Sequence, residues 1–338
     1  MTRHVLVYDT NRLNPYGREL TRLLAAAGVQ VRRCGGGPGP CGRAWTRRRR
    51  AADHGGGRAS RVATRLLRPL WAALRALALP GDRPALVVVW VRDGWEAALF
   101  GLLGRRCVLV HHNPVADRAL GPGVARMLPW VLRRCRVVVH AEAFARTGWS
   151  VAAHPTYRET VGASCPPASL PADPARRILF AGAVRPDKGA EELPRLIAEL
   201  DPRFDLVLTE APPAPAGITH AADRAGLSVT CLGDSGGTDD ATFVQAFRDA
   251  FAVVAPYTNV TESGTVTMAL TLGTPVVAYD APALRETLVP EALVSTPRDM
   301  ARRLAAWSER GQAPNCFRES AARRDERATT AWLSVLES

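Results

Sequence analysis

Two loops in the second half of the chain carry residue types that bind a negatively charged ligand. Residues 182–189 follow an apolar run and contain two cations, Arg185 and Lys188. Lys188 is the only lysine in the 338 residues, and a lysine places a compact charge on a phosphate where arginine offers a broad one. Residues 263–265 open a predicted helix, where free backbone N–H groups and the helix dipole attract anions. The second loop by itself also fits an ordinary capped helix, whereas the two loops together favour a phosphate site.

The apolar pattern around these loops predicts parallel α/β structure. Short apolar runs at 178–180 and 251–255 precede the loops, as buried parallel strands do. Ser263 provides a hydroxyl cap for the second helix, and Gly273 and Pro275 provide its stop signals. Another apolar strand is predicted over 275–279. Strand, loop and helix in this alternation are typical of a parallel sheet.

The two stretches resemble the carboxyl-terminal half of GT-B glycosyltransferases, close to glycosyltransferase family 4. The family pattern G-x-x-x-P-x-K-G corresponds to residues 182–189, and its loop–helix ending in G-[TI]-P-V-[VI] corresponds to residues 263–277. The resemblance implies a GT-B fold, with two Rossmann-like domains whose parallel sheets face across a cleft. It also implies that the diphosphate and sugar of a nucleotide-sugar donor contact the matching positions, which are Arg185, Lys188, Glu262, Ser263, Gly264 and Thr265.

The sequence departs from the family pattern at its two glutamates. The family carries two glutamates with seven residues between them, and the corresponding positions here are Val260 and Met268. Glu262 is close to the first of these positions but out of register. The Ser-Gly helix start is similar to a branch that includes bacterial mannosyltransferases of exopolysaccharide assembly. The departure leaves the sugar contact and the stereochemical outcome of transfer open.

The first half of the chain predicts a second parallel sheet with candidate acceptor residues after its strands. Apolar strands are predicted over 4–9, 85–90, 108–110 and 136–140. The loop after the first strand lies at the carboxyl edge, where α/β proteins bind ligands. Three short motifs, N-P-Y, H-N and H-P-x-Y, resemble those of the mannosyltransferase-like branch. That resemblance implies an acceptor-side role for Asn14, Tyr16, Asn113 and His154.

The loop after residue 110 contains two candidates for a general base. An inverting transferase removes a proton from the acceptor hydroxyl, and Asp117 or His112 can take it. A retaining enzyme needs no such base. His111 and His112 are adjacent on an extended segment and point to opposite faces, so they predict no metal site. We predict no cofactor. We also predict that the transfer is independent of a metal ion, because cations and a helix start neutralise the leaving diphosphate.

A basic amphipathic helix is predicted from about Arg58 to Leu79, after a low-complexity loop over 35–60 that includes four consecutive arginines at 47–50. Such a helix can lie on an anionic membrane. The alternative is a helix packed on the core with a solvated arginine face. The broad apolar face of the helix consists of Val62, Leu66, Leu67, Leu70, Trp71, Leu74 and Leu77.

Length and composition agree with a two-domain protein of the cytoplasm. The predicted divisions are an acceptor domain over 1–165, a linker over 166–175, a donor domain over 176–315, and a helix over 316–338 that packs back on the first domain. The net charge of +12 attracts anions in general. The seven scattered cysteines suggest neither a disulfide framework nor a zinc site. We predict neither a signal peptide nor a membrane span, for which about 18–20 apolar residues are needed.

The sequence therefore predicts a glycosyltransferase that moves a sugar from a GDP- or UDP-linked donor to a hydroxyl of a glycan, a glycolipid or a secondary metabolite. The predicted location is the cytoplasm of a bacterium, including peripheral contact with the inner face of the plasma membrane. Two other classes stay open. A catalytically inactive GT-B partner protein would explain the missing glutamates, and a nucleic-acid-binding protein would explain the basic charge, although no reader motif supports it.

Overall fold

The computed structural model describes residues 3–11, 14–34, 58–81, 83–112, 121–163, 176–211, 216–233, 238–310 and 316–338. The chain forms two compact units. Within the described residues, the first unit holds 3–34, 58–160 and 323–338, and the second holds 161–322. Most of the predicted low-complexity loop and the whole predicted linker lie outside the described residues.

The first unit is built on a sheet of six parallel strands in the order β2-β1-β3-β4-β5-β6. Its central strands are buried on both faces, which explains their continuous apolar sequence. The strands are β1 His4–Tyr8, β2 Gln30–Cys34, β3 Leu86–Val88, β4 Cys107–Val110, β5 Arg136–Val139 and β6 Ser150–Val151. The helices of the amino-terminal part of the chain are α1 Tyr16–Ala26, α2 Arg58–Ala78, α3 Gly94–Leu102, α4 Pro122–Arg134 and α5 Arg158–Ala163.

The second unit repeats the arrangement with six parallel strands in the order β12-β11-β10-β7-β8-β9. Its strands are β7 Arg177–Phe180, β8 Asp205–Leu208, β9 Ser228–Cys231, β10 Ala252–Ala255, β11 Val276–Tyr279 and β12 Leu293–Val294. The helices that follow are α6 Leu193–Glu199, α7 Ala216–Ala225, α8 Asp240–Arg248, α9 Gly264–Leu272, α10 Pro282–Arg285, α11 Pro297–Glu309 and α12 Cys316–Glu337. Strands β7 and β10 are neighbours, so the two loops singled out by the sequence follow adjacent strands.

The end of α12 belongs to the core of the first unit. Trp332 and Leu336 are fully buried and pack with Leu20 and Leu24 of α1. The same helix makes polar contacts with the segment between β6 and α5, because the Asp325 carboxylate accepts hydrogen bonds from both the backbone N–H and the hydroxyl of Thr156, each at 2.8 Å. The last helix therefore completes the hydrophobic core of the first unit.

Helix α2 faces the core with its small side chains and exposes its large apolar side chains, the reverse of a core-packed amphipathic helix. Its buried ridge consists of Ala72, Ala73 and Ala76, which pack in the core cluster that contains strands β1 and β3. Its large side chains point outward, with Leu67 60% and Leu74 56% exposed. Small side chains let the helix axis approach the sheet closely, and this leaves no inward space for the leucines. Within the described residues, no helix is both long and apolar enough to cross a membrane.

Asp9 is a buried carboxylate that connects the end of β1 to the start of α1. Its oxygens accept hydrogen bonds from the backbone N–H of Asn11 at 2.9 Å and of Gly17 at 3.2 Å. A side chain at Gly17 would overlap this carboxylate, so only glycine permits the contact. Burial raises the pKa of Asp9 from 3.8 to about 6, against the lowering effect of these hydrogen bonds and of Arg33 and Arg92.

We predict opposite stability effects for two neighbouring substitutions in α2. Ala73→Leu adds volume to a packed core and should lower the free energy of unfolding by about 1–3 kcal/mol. Leu74→Ala removes an exposed side chain and should change it by less than about 0.5 kcal/mol. Equilibrium unfolding in urea measures both. A loss of about 2–5 kcal/mol for Leu74→Ala, as found for buried leucines, would show that the apolar face points inward.

The raised pKa of Asp9 predicts a pH dependence of stability with a definite sign. Between pH 3.8 and about 6 the folded state binds more protons at Asp9 than the unfolded state does, so this contribution to stability falls as the pH rises. The Asp9→Asn variant lacks this titration. Its free energy of unfolding relative to the wild type should therefore rise by about 2.4 kcal/mol between pH 4 and pH 7.5.

The control is Asp280→Asn, because the side-chain hydrogen bond from Arg285 lowers the pKa of Asp280 and the sign of its titration is opposite. A difference between Asp9→Asn and the wild type that stays constant across this pH range would contradict the predicted state of Asp9.

Candidate functional site

The loop between β7 and α6 packs tightly against the segment after β10 at two glycines. Gly182 and Gly189 both have positive φ, +89° and +75°, which other residues rarely adopt. A Cβ atom at Gly189 would overlap the carbonyl oxygen of Pro256. The backbone N–H of Gly182 donates to the Thr209 hydroxyl at 2.7 Å, which ties the loop to the end of β8. The two loops predicted from the sequence are therefore in direct contact.

The start of α9 offers backbone donors at this contact. The Ser263 hydroxyl caps the helix by accepting the N–H of Val266 at 3.2 Å, as the sequence predicted. Within the described residues the N–H groups of Gly264 and Thr265 have no acceptor. The Thr265 hydroxyl donates to the carbonyl of Ala181 at 3.1 Å, which holds the first turn of α9 against the end of β7. Two free N–H groups at the positive end of a helix form a site for an anion.

Lys188 brings a full positive charge to the same place. A short 3₁₀ turn, Pro186–Lys188, directs its side chain back toward Gly182, where a Cβ atom would lie only 2.7 Å from the Nζ atom of Lys188. The same position is 3.7 Å from the hydroxyl oxygen of Thr265. The ammonium group and the first turn of α9 thus converge on the open side of Gly182. An ammonium beside free N–H groups is the arrangement that a phosphate requires.

Tyr257 is a residue of this site that the sequence analysis missed. It directly follows Pro256 and is buried, with only 3% of its surface exposed. Within the described residues its hydroxyl has no hydrogen-bond partner. The Nζ atom of Lys188 lies 5.8 Å from the centre of the Tyr257 ring, a cation–π distance. Its position between a buried strand and the helix start at 263–265 was the signal available in the sequence.

Two other donor-side candidates are placed differently. The Arg185 side chain is exposed, and its backbone carbonyl accepts the N–H of Lys188 at 3.0 Å, so the residue shapes the turn. The Glu262 carboxylate accepts a hydrogen bond from the Thr267 hydroxyl at 3.0 Å. The positions of the two family glutamates, Val260 and Met268, are buried and apolar, 8% and 4% exposed. The groups that converge on the open side of Gly182 are therefore Lys188 and the helix start, and no carboxylate stands at the two glutamate positions.

The carboxyl edge of the first sheet gathers an aromatic group that we call the histidine cluster, formed by Tyr16, Trp90, His112, His140 and His154. Trp90 stacks on His112 with the ring centres 4.1 Å apart. Tyr16 meets His112, His140 and His154 with ring centres at 4.8, 5.2 and 4.7 Å. Each of these residues comes after a different strand, β1, β3, β4, β5 or β6. They are far apart in the sequence, so no local pattern indicates that they are in contact. Within the described residues no group of three or more side chains has the geometry to hold a metal ion.

Among the acceptor-side candidates, Asn14 and His154 have structural contacts that explain their position. The Asn14 side-chain oxygen accepts the backbone N–H of Tyr16 at 2.9 Å and thereby sets the start of α1. His154 is buried, with Nδ1 2.7 Å from the carbonyl oxygen of Pro155 and Nε2 3.4 Å from the Tyr157 hydroxyl. Asn14 therefore fixes the backbone of Tyr16, and His154 packs against its ring. Asn113 and Asp117, the other predicted residues of this side, lie outside the described residues.

His112 has the electrostatic environment of a neutral imidazole. Burial holds its pKa well below the usual range, and the neighbouring rings of His140, His154 and His111 add to this lowering. Its Nδ1 atom lies 3.3 Å from Nε2 of His140, which in turn places its own Nδ1 2.8 Å from the carbonyl oxygen of Ala152. A histidine that stays neutral near pH 7 has a nitrogen lone pair that can accept a proton. The same burial and neighbouring rings disfavour the protonated form, so in this structure His112 is a weak base.

Solved structures of known proteins share this fold. HepE from Anabaena, in complex with UDP and glucose, aligns over 99% of this chain and 98% of its own with 15% identity and a TM-score of 0.61. Sucrose-phosphate synthase from Thermosynechococcus elongatus aligns over 99% and 97% with 18% identity and a TM-score of 0.59. The α,α-trehalose 6-phosphate synthase from Burkholderia multivorans aligns over 100% and 98% with 12% identity and a TM-score of 0.58.

No protein-family model matches the sequence, and no curated protein is similar to it by sequence. At such low identity the structural similarities establish the fold alone. They extend over nearly the whole length of this chain and of the chains that it matches. The predicted fold class, α/β with two parallel sheets of the GT-B type, is therefore confirmed.

Proposed function

We propose that the protein is a glycosyltransferase that uses a nucleotide-diphosphate sugar. The observation that carries this proposal is the convergence of the Lys188 ammonium and the free N–H groups of Gly264 and Thr265 on the open side of Gly182. A leaving diphosphate develops negative charge, and preformed cations and helix dipoles stabilise it without reorganisation. The second unit would hold the donor through Arg185, Lys188, Tyr257 and residues 262–265.

A uridine diphosphate donor is the first choice, with a GDP-linked sugar as the alternative. HepE has been solved with UDP and with UDP-glucose, and it shares the fold along the whole chain. The proposed acceptor is a hydroxyl of a glycan, a glycolipid or a secondary metabolite, bound at the histidine cluster. We further propose that the transfer needs no metal ion, since an ammonium and a helix start supply the positive charge.

The proposed base for an inverting transfer is His112, with Asp117 as the second candidate. His112 follows β4 at the edge of the sheet and its imidazole is neutral, but burial and the neighbouring histidines lower its pKa, so a negatively charged group of the bound substrates must stabilise the imidazolium when it takes the proton. A retaining transfer would leave this histidine with a binding role only.

The proposed place of action is the bacterial cytoplasm, including the inner face of the plasma membrane. The free state of Cys34, Cys107, Cys135 and Cys231 is in keeping with a reducing compartment.

One observation favours a second function, that of an inactive partner of another transferase. The apolar side chains of Val260 and Met268 occupy the positions of the family glutamates and are buried. Turnover of a nucleotide-sugar by the purified protein excludes this alternative, whereas donor binding with no turnover in any acceptor mixture supports it. The third class, a nucleic-acid-binding protein, depends on the arginines at 47–50, which lie outside the described residues.

We predict that nucleotide binding depends on the charge of Lys188. UDP at about a hundred times its dissociation constant should stabilise the wild type by roughly 2.7 kcal/mol, which corresponds to a rise in Tm of about 5–10 °C. Lys188→Ala should weaken binding about 10- to 100-fold, because a hydrogen bond to a charged group is lost. Differential scanning fluorimetry with UDP, GDP, dTDP and ADP measures this and identifies the nucleotide.

Two variants control this experiment. Lys188→Arg keeps the charge and should bind better than Lys188→Ala, and Arg302→Ala removes an exposed cation of α11 and should bind as the wild type does. The absence of a shift with all four nucleotides, or an equal shift in Lys188→Ala, would refute the proposed donor site.

We predict that Tyr257→Phe separates ligand binding from stability. The Tyr257 hydroxyl is buried without a partner among the described residues, so its removal should leave the free energy of unfolding unchanged or slightly higher. If this hydroxyl binds the donor, affinity for the nucleotide or the nucleotide-sugar should fall about fivefold, the equivalent of one hydrogen bond.

Tyr279→Phe is the matched control, since the Tyr279 hydroxyl donates to the Glu192 carboxylate at 2.9 Å. That variant should lose stability and keep its affinity for the donor. Equal donor affinity of Tyr257→Phe and the wild type would remove Tyr257 from the proposed site.

A further inference from the structure

The large apolar side chains that are exposed in the described part of the chain all lie on two neighbouring helices of the first unit. Helix α2 packs against α3, and together they carry every one of them. The most exposed are Leu67 at 60% on α2 and Leu102 at 70% on α3. We call this surface the α2–α3 face, and its members are Leu66, Leu67, Leu70, Trp71, Leu74, Leu77, Trp95 and Leu102.

The described residues of the first unit leave this face uncovered. The inward side of α2 is the ridge of Ala72, Ala73 and Ala76, and the leucines occupy the opposite side of the helix. On α3, Trp95 and Leu102 are seven residues apart, which is two helical turns, so they share one side. Contiguous apolar surface of this kind marks a site of interaction on proteins of ordinary solubility. The face is therefore a candidate surface for an interaction.

The charged side chains that α2 contributes to the rim of the face are of one sign. Arg68 and Arg75 are exposed on α2, two turns apart and beside the apolar side chains, and the Arg75 guanidinium lies 4.7 Å from the centre of the Trp71 ring. The sequence of α2 contains no aspartate or glutamate. An apolar face of leucine and tryptophan with arginine at its rim matches the boundary between the acyl chains and the headgroups of an anionic bilayer.

We propose that the α2–α3 face is a docking surface for an anionic lipid bilayer. A second copy of the chain fits the face less well. A two-fold interface would bring Arg68 and Arg75 toward the same residues of the other copy, and α2 has no carboxylate to pair with them. Lipid phosphates supply that negative charge, and the leucines and tryptophans gain burial among the acyl chains. The inference is independent of the donor site, which belongs to the other unit.

Sedimentation of the full chain with lipid vesicles tests this surface. The protein should bind vesicles of phosphatidylcholine and phosphatidylglycerol at least about tenfold more tightly than vesicles of phosphatidylcholine alone, and added salt should weaken the binding. Leu67→Ser/Leu74→Ser should lower the binding at least about tenfold, because two exposed apolar groups lose their insertion. Arg68→Gln/Arg75→Gln should lower it about 30-fold, because each cation near the surface contributes about fivefold.

The matched control is Arg248→Gln/Arg302→Gln, which removes two exposed cations from the second unit and should bind vesicles as the wild type does. Unfolding midpoints of all variants show whether they are folded, and the Tm shift with UDP in the same samples reports the donor site separately. Equal binding of wild type and Leu67→Ser/Leu74→Ser, or equal binding to both kinds of vesicle, would overturn the proposal. So would sedimentation velocity data in which the wild type is a dimer and the leucine variant a monomer, because the face would then be a surface for self-association.

Discussion

The parallel pairing of strands is the constraint on which the chemistry of both units depends. A parallel sheet needs a crossover after every strand, so the sheet is covered on both faces and its strands become continuous apolar runs. Polar side chains can then be concentrated only where the strands end. In the second unit this edge brings together the loops after β7 and β10, and in the first it brings together Tyr16, Trp90 and three histidines. The sheets are scaffolds, and their carboxyl edges hold the candidate sites.

Close backbone approach creates the anion site of the second unit. The loop over 182–189 can touch Pro256 only because Gly189 has no side chain, and Lys188 can turn back only because Gly182 leaves space for its ammonium group. The free N–H groups of Gly264 and Thr265 complete the site. Because Val260 and Met268 are buried and apolar, the positive groups have no carboxylate partner at those positions. For the proposed donor, this arrangement would favour binding through the diphosphate and would leave recognition of the sugar to other groups, such as Tyr257.

The first unit separates two tasks between its edge and its flank. In the histidine cluster Tyr16, His140 and His154 are buried and the rings contact one another, while desolvation lowers the pKa of His112 and keeps its imidazole neutral. The flank formed by α2 and α3 exposes leucine and tryptophan, a costly arrangement in water unless another apolar phase covers it. A membrane on this flank would bring a lipid-linked acceptor within the reach of the same unit, which connects the proposed acceptor side with the proposed docking surface.

Local patterns in the sequence predicted much of the fold. Apolar runs identified the central strands, and the Ser263 cap and Gly273 stop predicted α9 almost to the residue, with Gly273 at φ +73°. The glycine and lysine pattern over 182–189 indicated an anion site, because the need for a small residue and a compact charge is local.

Tertiary structure decided the rest. The histidine cluster joins residues up to 138 positions apart, from Tyr16 to His154, and no local pattern records such a contact. The direction of α2 was equally undecided, since its apolar periodicity fits both an inward and an outward face, and only the alanine ridge against the sheet, which brings the helix close, turns the leucines outward.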